Sequence, residues 1–402
     1  MQVVVIGGGA AGFFAALAAK ELNPTANVII LERSAKLLSK VRISGGGRCN
    51  VTHACFEPRL LVQNYPRGQK ELLSPFHAFQ PRDIIEWFKS RGVILKQEED
   101  GRMFPVSDSS STIIDCFLKE AKKLGVEIRT QTKLHSIKKV EKGFELDIGT
   151  DKLFFAHHII LATGSSPIGW EISKSLGHTI QVPVPSLFTF NIPSFSMSGL
   201  SGISTDRVKV KIKDSKFEQV GALLITHWGF SGPAILKLSA FAARYLSERN
   251  YDFSVVIDWL PDFTEQELRD KIEKARKEHP TKHFGNVQIV SLPKNLWKKL
   301  YEKADLASHM LMNSISKKAI TKLCEVLKKE QYKVHGKTTN KDEFVTCGGV
   351  TLSEVEFKTM ESKLCKNLFF CGEVLDIDGI TGGFNFQNAW TTGWIAGRSA
   401  AK

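Results

Sequence analysis

The stretch that decides the fold is Val3-Val4-Val5-Ile6-Gly7-Gly8-Gly9-Ala10-Ala11-Gly12. It opens with four β-branched apolar residues, which is typical of a buried strand. The glycines have the spacing G-x-G-x-x-G, and Phe13–Leu22 continues as an alanine-rich segment that predicts a helix. A strand, a glycine turn and a helix in this order indicate the phosphate-binding turn of a dinucleotide-binding domain.

Each glycine of this turn has a separate physical reason. Gly7 allows the tight turn after the strand, Gly9 lets the backbone approach a pyrophosphate, and Gly12 lets the helix pack closely on the strand. The start of the helix also offers free N–H groups and a positive dipole end to phosphates. We therefore predict that Gly7, Gly9, Ala11 and Gly12 bind the cofactor.

An acidic residue stands at the expected distance from the turn. The apolar run Val28–Leu31 predicts a second strand, and Glu32 follows it, 20 residues after Gly12. Its carboxylate can accept hydrogen bonds from a ribose diol, which favours FAD or NAD over NADP.

Three features favour FAD over NAD. The glycine turn lies at the start of the sequence, a strand over Ile159–Leu161 runs into Ala162-Thr163-Gly164, and a late Cys371-Gly372-Glu373 element follows. A nicotinamide domain does not need the last two. No second G-x-G-x-x-G follows, so no dedicated NAD(P)H domain is expected, and NAD(P)H is a candidate only as a transient electron donor.

Changes in the pattern of predicted strands and helices along the chain predict one domain interrupted by another. The FAD-binding domain covers residues 1–186, an inserted domain covers 187–343, and the first domain resumes over 344–402. The sequence of the insert predicts short strands followed by a basic helical portion at about 262–332. Within that portion, the apolar spacing predicts helix over 264–278 and over 296–330.

Bulk composition excludes several classes of protein. The 402 residues are 42% apolar, enough for two or three domains. No apolar run reaches about 18 residues, so we expect no membrane span, and no basic segment precedes the first apolar run, so we expect no signal peptide. The seven cysteines are scattered without a C-x-x-C pair, which predicts no metal site and no disulfide framework, and a cytoplasmic location.

The chain is basic, and the charge is uneven. The net charge is +13, and residues 267–345 hold 18 Lys and Arg against 10 Asp and Glu. One interpretation is an anionic partner such as RNA, a membrane surface or an acidic substrate. Solvated helix faces in a lysine-rich protein are the favoured interpretation, so a nucleic-acid partner is the weaker hypothesis and stays open.

Three further segments carry a family resemblance. They are Arg42-Ile43-Ser44-Gly45-Gly46-Gly47-Arg48-Cys49-Asn50-Val51-Thr52, Thr226-His227-Trp228-Gly229-Phe230-Ser231-Gly232-Pro233, and residues 372–387 with the sequence GEVLDIDGITGGFNFQ. Together they resemble the bacterial YhiN-like flavoproteins, which include proteins called aminoacetone oxidase and a bile-acid-inducible flavoprotein. The resemblance covers nearly the whole chain.

The resemblance implies an α/β fold of the two-dinucleotide-binding flavoprotein type. A Rossmann-like FAD-binding domain is interrupted by an inserted β-rich, barrel-like domain with a helical portion, and the FAD is held noncovalently. The resemblance implies no single substrate, and the sequence specifies no oligomeric state.

The resemblance also assigns residues by position. It places Gly7, Gly9, Gly12, Glu32 and Arg33 at the adenosine and pyrophosphate, and Leu134 where a backbone meets the adenine. It places Gly45, Gly46, Gly47, Arg48 and Asn50 along the pyrophosphate and flavin. It places Gly372, Glu373 and Asp376 near the ribityl chain, and Gly383, Asn385 and Phe386 in the loop before the last helix. His53 departs from the family pattern, in which Asn is common.

The helix that follows Phe386 would point its N-terminus at the flavin's pyrimidine edge and stabilise the negative charge of reduced flavin. Ala162, Thr163 and Gly164 complete the predicted cofactor contacts.

The predicted function is an FAD-dependent oxidoreductase that transfers hydride between flavin and an unidentified small molecule. His227 is a weak candidate for a proton donor, because imidazole titrates near neutral pH. Trp170, Trp228 and Trp390 either line a substrate cavity or pack in the core. Two alternatives remain open: a flavin-dependent RNA-modifying enzyme, and a flavin-containing binding protein without catalysis.

Overall fold

The computed structural model describes residues 1–150, 153–338 and 345–402. The chain divides into two compact units. The first unit is Met1–Ser186 together with Lys341–Lys402, and the second unit is Leu187–Asn340.

The first unit is built on a sheet whose central strands are parallel. The spatial order is Val355–Glu356, Glu361–Ser362, Leu368–Phe370, His158–Leu161, Gln2–Ile6, Asn27–Leu31 and Glu127–Arg129. From Leu368–Phe370 onward every pairing is parallel, while the first two strands are joined antiparallel. The predicted Rossmann-like parallel sheet is confirmed.

Smaller sheets and helices complete the first unit. One antiparallel sheet contains Thr52–His53, Arg102–Pro105 and Leu95–Gln97, another contains Ser136–Val140, Gly143–Asp147 and Phe154–Ala156, and Ile180–Ser186 pairs with Val345–Val350. The α-helices are Ala10–Leu22, Ser39–Ile43, Pro58–Leu61, Gln69–Ala78, Pro81–Lys89, Ser110–Leu124, Pro167–Ser175 and Phe384–Ala400.

The second unit is an antiparallel sheet that closes on itself. Its spatial order is Glu330–His335, Asp252–Asp258, Ser204–Ile212, Glu218–Ile225, Gly229–Ser231, Thr189–Asn191 and Lys337–Thr338. The two outermost strands are consecutive in the chain and are joined by Gly336. The Gly336 N–H donates to Tyr251 and its carbonyl accepts from Asn191, so one continuous segment pairs with both ends of the sheet.

The helices of the second unit are Pro233–Phe241, Ala243–Ser247, Glu265–Glu278, Lys294–Lys303 and Lys317–Lys329. The prediction of helix over 296–330 was therefore wrong between the last two. Asp305 adopts a left-handed conformation, φ +61°, which ends one helix, and the Ser316 hydroxyl accepts from Ala319 N at 3.1 Å and caps the next. Buried Leu306, Met312 and Ile315 continue the apolar spacing through a connection that contains the short 3-10 helix Met312–Ser314 and no α-helix.

No helix within the described ranges is both long and apolar enough to cross a bilayer.

Two helices of the first unit pack with their backbones in contact. A Cβ built at Gly393 of the final helix, Phe384–Ala400, would lie 2.7 Å from the Ala11 carbonyl oxygen, and one built at Gly397 would lie 2.0 Å from that of Ala15. Such a distance is far below van der Waals contact. The glycines therefore set how closely the final helix approaches the first helix, Ala10–Leu22.

We predict that Gly397→Ala lowers the free energy of unfolding by about 1–3 kcal/mol, because the new methyl group must displace backbone. Thermal denaturation of the purified protein measures this as a lower Tm. Gly199→Ala is the matched control, because a Cβ there meets no described atom within 4 Å and its φ is not positive. Equal melting temperatures for the two variants would contradict the packing argument.

Candidate dinucleotide-binding site

Three turns converge at the carboxyl edge of the parallel sheet. The neighbouring strands Gln2–Ile6, His158–Leu161 and Leu368–Phe370 run directly into Gly7, Ala162 and Cys371-Gly372. Backbone bonds from Ala162 N to Ile6 O (2.9 Å) and from Cys371 N to Leu161 O (3.1 Å) continue the ladder into the turns. The first strand, Gln2–Ile6, has Asn27–Leu31 on one side and His158–Leu161 on the other. The strand order therefore reverses at this strand, and open α/β sheets bind ligands at such a switch point.

The glycines of the first turn differ in how closely other protein atoms approach the position of a Cβ. Gly7 has φ +114°, and a Cβ there would lie 2.4 Å from the Ala162 carbonyl oxygen; one at Gly12 would lie 2.0 Å from the Gly7 carbonyl oxygen. At Gly9 no described atom lies within 4 Å of the Cβ position. Protein packing therefore accounts for Gly7 and Gly12, whereas no described protein contact requires glycine at position 9, and the contact of Gly9 with a ligand stays a prediction.

Glu32 lies beside this turn and is half-buried. Its Oε2 accepts from Gly8 N and its Oε1 from Ser34 N, both at 2.8 Å. A carboxylate has about four lone-pair sites, so two backbone bonds orient it and leave acceptor capacity for a ribose diol. Arg33, next in the chain, is exposed.

The predicted adenine segment lies against the same strand end. Thr132 N donates to the Glu32 carbonyl at 2.9 Å, and Gln131 N donates to Ser34 O at 3.2 Å. Leu134, two residues further on, is buried. The structure thus brings this segment to the Glu32 end of the edge.

The second glycine segment forms a short 3-10 turn, Ser44–Gly47. Asn50 ties this segment to the final helix: its side-chain nitrogen donates to Thr52 O and its oxygen accepts from Gly383 N, each at 3.0 Å. A Cβ at Gly383 would lie 2.6 Å from the Thr52 carbonyl oxygen. Two loops more than 300 residues apart in sequence are thereby joined at one point.

The side chains of some residues predicted to bind the cofactor form their hydrogen bonds and ion pairs with other protein groups. Arg48 pairs with Glu98 at 2.7 Å and stacks over Phe104 at 4.0 Å, and the hydrogen bond that its guanidinium donates to Glu98 raises the pKa of Arg48. Asn385 exchanges two hydrogen bonds with the backbone of Gly379, at 2.8 and 2.9 Å. Asn385 and Phe386 lie in the first turn of the final helix, Phe384–Ala400, so the prediction that they stand in the loop before it was wrong. The side chains of Arg48 and Asn385 bond to other parts of the protein, and their contact with a cofactor stays a prediction.

The late element lies against the first helix. A Cβ at Gly372 would lie 2.8 Å from the Ala11 Cβ, so the Gly372 backbone touches the helix start. The Glu373 carboxylate accepts from Thr346 N at 3.0 Å and forms an ion pair with Lys40, whose ammonium is also 3.4 Å from Ser165 Oγ.

The sequence analysis missed Lys40, Ser165 and Thr346. No motif marks them, since they come from three separate segments. Of the other late residues, Asp376 is buried and Phe386 stacks on Trp390 with ring centroids 5.5 Å apart.

The missed Asp378 is fully buried. It pairs with Arg67 and accepts from Ser186 Oγ at 2.6 Å. Burial raises the pKa of the Asp378 carboxyl against the opposing effect of Arg67. This pair anchors the loop between Glu373 and the final helix.

Buried hydroxyls at the same edge lack partners. Thr163 Oγ1, Ser166 Oγ and Thr346 Oγ1 make no hydrogen bond within the described part of the chain. Buried polar groups are ordinarily satisfied. Together with the open Cβ position at Gly9, they fit an edge built to receive a polar ligand such as a dinucleotide.

The remaining candidates lie elsewhere. His227 is exposed in the second unit, in the turn between strands Glu218–Ile225 and Gly229–Ser231. Trp390 is buried and donates to Val51 O at 2.8 Å, and Trp170 donates to Val374 O at 3.1 Å. Both bond the backbone of the first unit, whereas Trp228 is 73% exposed.

Comparison with known proteins decides the family. Residues 1–399 match the family described as the HI0933-like protein Rossmann domain. The chain belongs to this family. This match confirms the resemblance inferred from the three motifs. One relative, the 3-dehydro-bile acid delta(4,6)-reductase of Clostridium scindens, is 28% identical over 100% of this chain and 99% of its own length.

One further relative and two solved structures are also similar to this chain. A ribosomal RNA dihydrouridine synthase of Escherichia coli is 29% identical over 98% of this chain and 96% of its own. Among solved structures, the 3-ketosteroid-delta4-(5alpha)-dehydrogenase of Rhodococcus jostii covers 100% of this chain and 97% of its own with TM-score 0.52 and 13% identity. The open conformation of a flavocytochrome c3 fumarate reductase covers 100% and 78% with TM-score 0.52 and 18% identity. At such identities the solved structures support the fold alone.

We predict that Cys49 resists alkylation in the folded protein. Its side chain is fully buried, and burial raises the pKa of its thiol to about 12. Only the thiolate reacts with iodoacetamide, so Cys49 stays protonated and unlabelled at pH 8, as read by mass spectrometry. Half-buried Cys55 is the internal comparison. Labelling of Cys49 as fast as in urea would contradict this account.

Proposed function

We propose that this protein is an FAD-dependent oxidoreductase that reduces a carbon–carbon double bond conjugated to a carbonyl. The observation that carries the proposal is the carboxyl edge of the parallel sheet. There the open backbone at Gly9, the carboxylate of Glu32, which accepts from Gly8 N at 2.8 Å, and Gly372, whose Cβ position lies 2.8 Å from the Ala11 Cβ, lie around the start of the first helix.

The arrangement supports FAD over a nicotinamide dinucleotide. A nicotinamide domain needs the first glycine turn and the ribose acid. This chain adds the second glycine segment, tied by Asn50 to Gly383, and the late Gly372-Glu373 turn against the first helix. We assign these additions to contacts with the flavin and the ribityl chain, which a nicotinamide dinucleotide lacks. When bound and first reduced by an external two-electron donor such as NADH or NADPH, the flavin would supply the hydride.

The residues of this chain then hold and orient the cofactor noncovalently. The N-terminus of Ala10–Leu22 would hold the pyrophosphate, and Glu32 would hold the ribose. The N-terminal N–H groups of the final helix, beginning after Gly383, would stabilise the negative charge of reduced flavin. His227, exposed on its turn in the second unit, stays the weak candidate for a proton donor that the sequence predicts.

The names of two relatives support the substrate class. One reduces a dehydro-bile acid and the other makes dihydrouridine. Both names describe addition of hydrogen across a C=C bond, and in both rings that bond is conjugated to a carbonyl. Polarisation by the carbonyl makes the distant carbon of such a bond an acceptor for hydride. The shared chemistry, rather than either compound, is what we transfer to this chain.

We predict that Gly9→Asp removes the cofactor and leaves the fold intact. The new carboxylate occupies the pyrophosphate position and repels it, while no described protein atom lies within 4 Å of the Cβ. The variant should purify colourless, with a circular dichroism spectrum matching the unaltered protein stripped of FAD. Gly12→Ala is the contrasting variant, since its Cβ would lie 2.0 Å from Gly7 O and it should misfold. A yellow Gly9→Asp protein with full flavin content would refute the assignment.

An RNA substrate is the second candidate, favoured by the charge of the second unit. Residues 279–338 hold twelve Lys and Arg against four Asp and Glu. Lys294, Lys317 and Lys318 are exposed, and none forms an ion pair within the described residues. Uncompensated lysines on a helical face are suited to phosphate contacts.

One experiment tests the reaction and separates its substrates. The holoenzyme is photoreduced without oxygen, then mixed with a 3-keto-4-ene steroid, a uracil-containing ribosomal RNA fragment, a saturated ketone or an amine, and flavin reoxidation is followed at 450 nm. We expect reoxidation by the steroid or the RNA and none by the saturated ketone or the amine.

Reoxidation by RNA alone, with an apparent affinity that falls steeply as salt rises, would select the second candidate. Reoxidation by none of the conjugated compounds would refute the proposed reaction. Premixing with NADH or NADPH identifies the electron donor.

A further inference from the structure

The second unit contains a cleft of about 550 Å³ between the end of its sheet and its helical portion. It is lined by the first residues of strand Ser204–Ile212, by residues 259–263 and 289–293, and by one residue of helix Glu265–Glu278. Binding sites for small molecules have volumes of roughly 300–1,000 Å³. All of the lining residues belong to the second unit, so the cleft is complete within one compact unit.

The cleft opens where two neighbouring strands separate. The strand that begins at Ser204 pairs with the strand that ends at Asp258 only from Lys209 onward. After Asp258 the chain turns away, and Trp259 N donates to Leu327 O at 2.8 Å instead. The first residues of the strand therefore pair with no described strand on that side, and they line the cleft.

Thr205 lines this cleft and carries a hydroxyl group that the protein leaves unsatisfied. Thr205 is 5% exposed, although Ser204 and Asp206 on either side of it are exposed. Its Oγ1 makes no hydrogen bond within the described residues. The pairing on the other side of the strand shifts register between Thr205 and Val208, and such bulges re-aim side chains next to binding sites. Because an unpaired buried hydroxyl costs stability, a ligand that bonds to Thr205 offsets this cost.

Lys328 holds the apolar wall of the cleft in a fixed position. Its ammonium donates to the carbonyl oxygens of Leu260, at 2.9 Å, and of Phe263, and it pairs with Asp258 at 2.7 Å. The wall also includes Val290, which like Leu260 is less than a tenth exposed. Such a preformed surface binds an apolar chain without first having to be ordered.

The charged groups that line the cleft indicate the sign of its ligand. Arg207 and Asp262 pair with each other at 2.8 Å. Lys271 has no ion pair in the described part of the chain, and its ammonium lies 4.8 Å from the centre of the Phe263 ring. Asp206 has no described contact that directs its carboxylate into the cleft. The unpaired charge that is held at the wall is therefore positive.

We propose that this cleft binds an amphipathic carboxylate, which is a carboxylate group on an apolar chain. The carboxylate accepts a hydrogen bond from the Thr205 hydroxyl and a charge-assisted hydrogen bond from the Lys271 ammonium. The apolar chain packs along Leu260 and Val290, where removal of its surface from water drives binding. The site goes beyond the proposed reduction and does not rest on it.

The test titrates the oxidised, flavin-loaded enzyme by calorimetry with octanoate, octanol and octylamine. These probes share one apolar chain and differ only in the head group. We expect octanoate to bind more tightly than the other two by about fivefold or more, because only a carboxylate forms the charge-assisted hydrogen bond with Lys271.

Two variants locate the binding site. Thr205→Val removes the hydroxyl and keeps the shape of the side chain, so it should weaken octanoate binding by about three- to tenfold. It should not lower the Tm, because the hydroxyl has no described partner to lose. Lys271→Gln should weaken octanoate binding by about fivefold or more.

Lys277→Gln is the matched control, since Lys277 is an exposed lysine of the same helix and does not line the cleft. It should bind octanoate as the unaltered enzyme does, and all three variants should keep full flavin content.

Failure of the unaltered enzyme to bind octanoate would overturn the proposal, as would octanol or octylamine binding as tightly as octanoate. The proposal also fails if Thr205→Val or Lys271→Gln binds octanoate within about twofold of the unaltered enzyme. A lower Tm for Thr205→Val would show that the hydroxyl serves the fold rather than a ligand, and this result too would overturn it.

Discussion

The contact between the Gly7 turn and the Ala162 carbonyl is the constraint on which the first unit depends. A side chain at Gly7 would lie 2.4 Å from that oxygen, and one at Gly12 would lie 2.0 Å from the Gly7 carbonyl. The strand, the turn and the helix therefore meet through bare backbone. This closeness brings the N-terminus of Ala10–Leu22 to the carboxyl edge of the sheet, where its free N–H groups can face a phosphate.

The same principle recurs where the final helix joins the first. Gly393 and Gly397 allow the Phe384–Ala400 backbone to lie on the carbonyls of Ala11 and Ala15. The helix that begins at Gly383 and the helix that begins after Gly9 are thereby held in one rigid relation within the first unit. Asn50 extends this relation to the second glycine segment. This edge of the sheet is thus a product of backbone packing.

The second unit is organised around a closed antiparallel sheet. Its sheet closes through Gly336, so both outer strands are paired within the unit and no long edge is left open. The same barrel fixes the turn that carries His227 and Trp228. Its helices place a surplus of lysine on the surface.

The sequence by itself determined the Rossmann-like domain, because strand, glycine turn, helix and acid are local signals with fixed spacing in Gly7–Glu32. It also indicated the family, through three contiguous motifs. Tertiary structure alone decided which side chains meet. Lys40 reaches Glu373, Arg67 reaches Asp378, and Asn50 reaches Gly383, pairs whose members lie about 300 residues apart. Apolar spacing likewise continued across 304–316, where a left-handed Asp305 ends the helix. Local pattern records which face of a segment is buried, whereas the folded chain alone decides what that face is buried against.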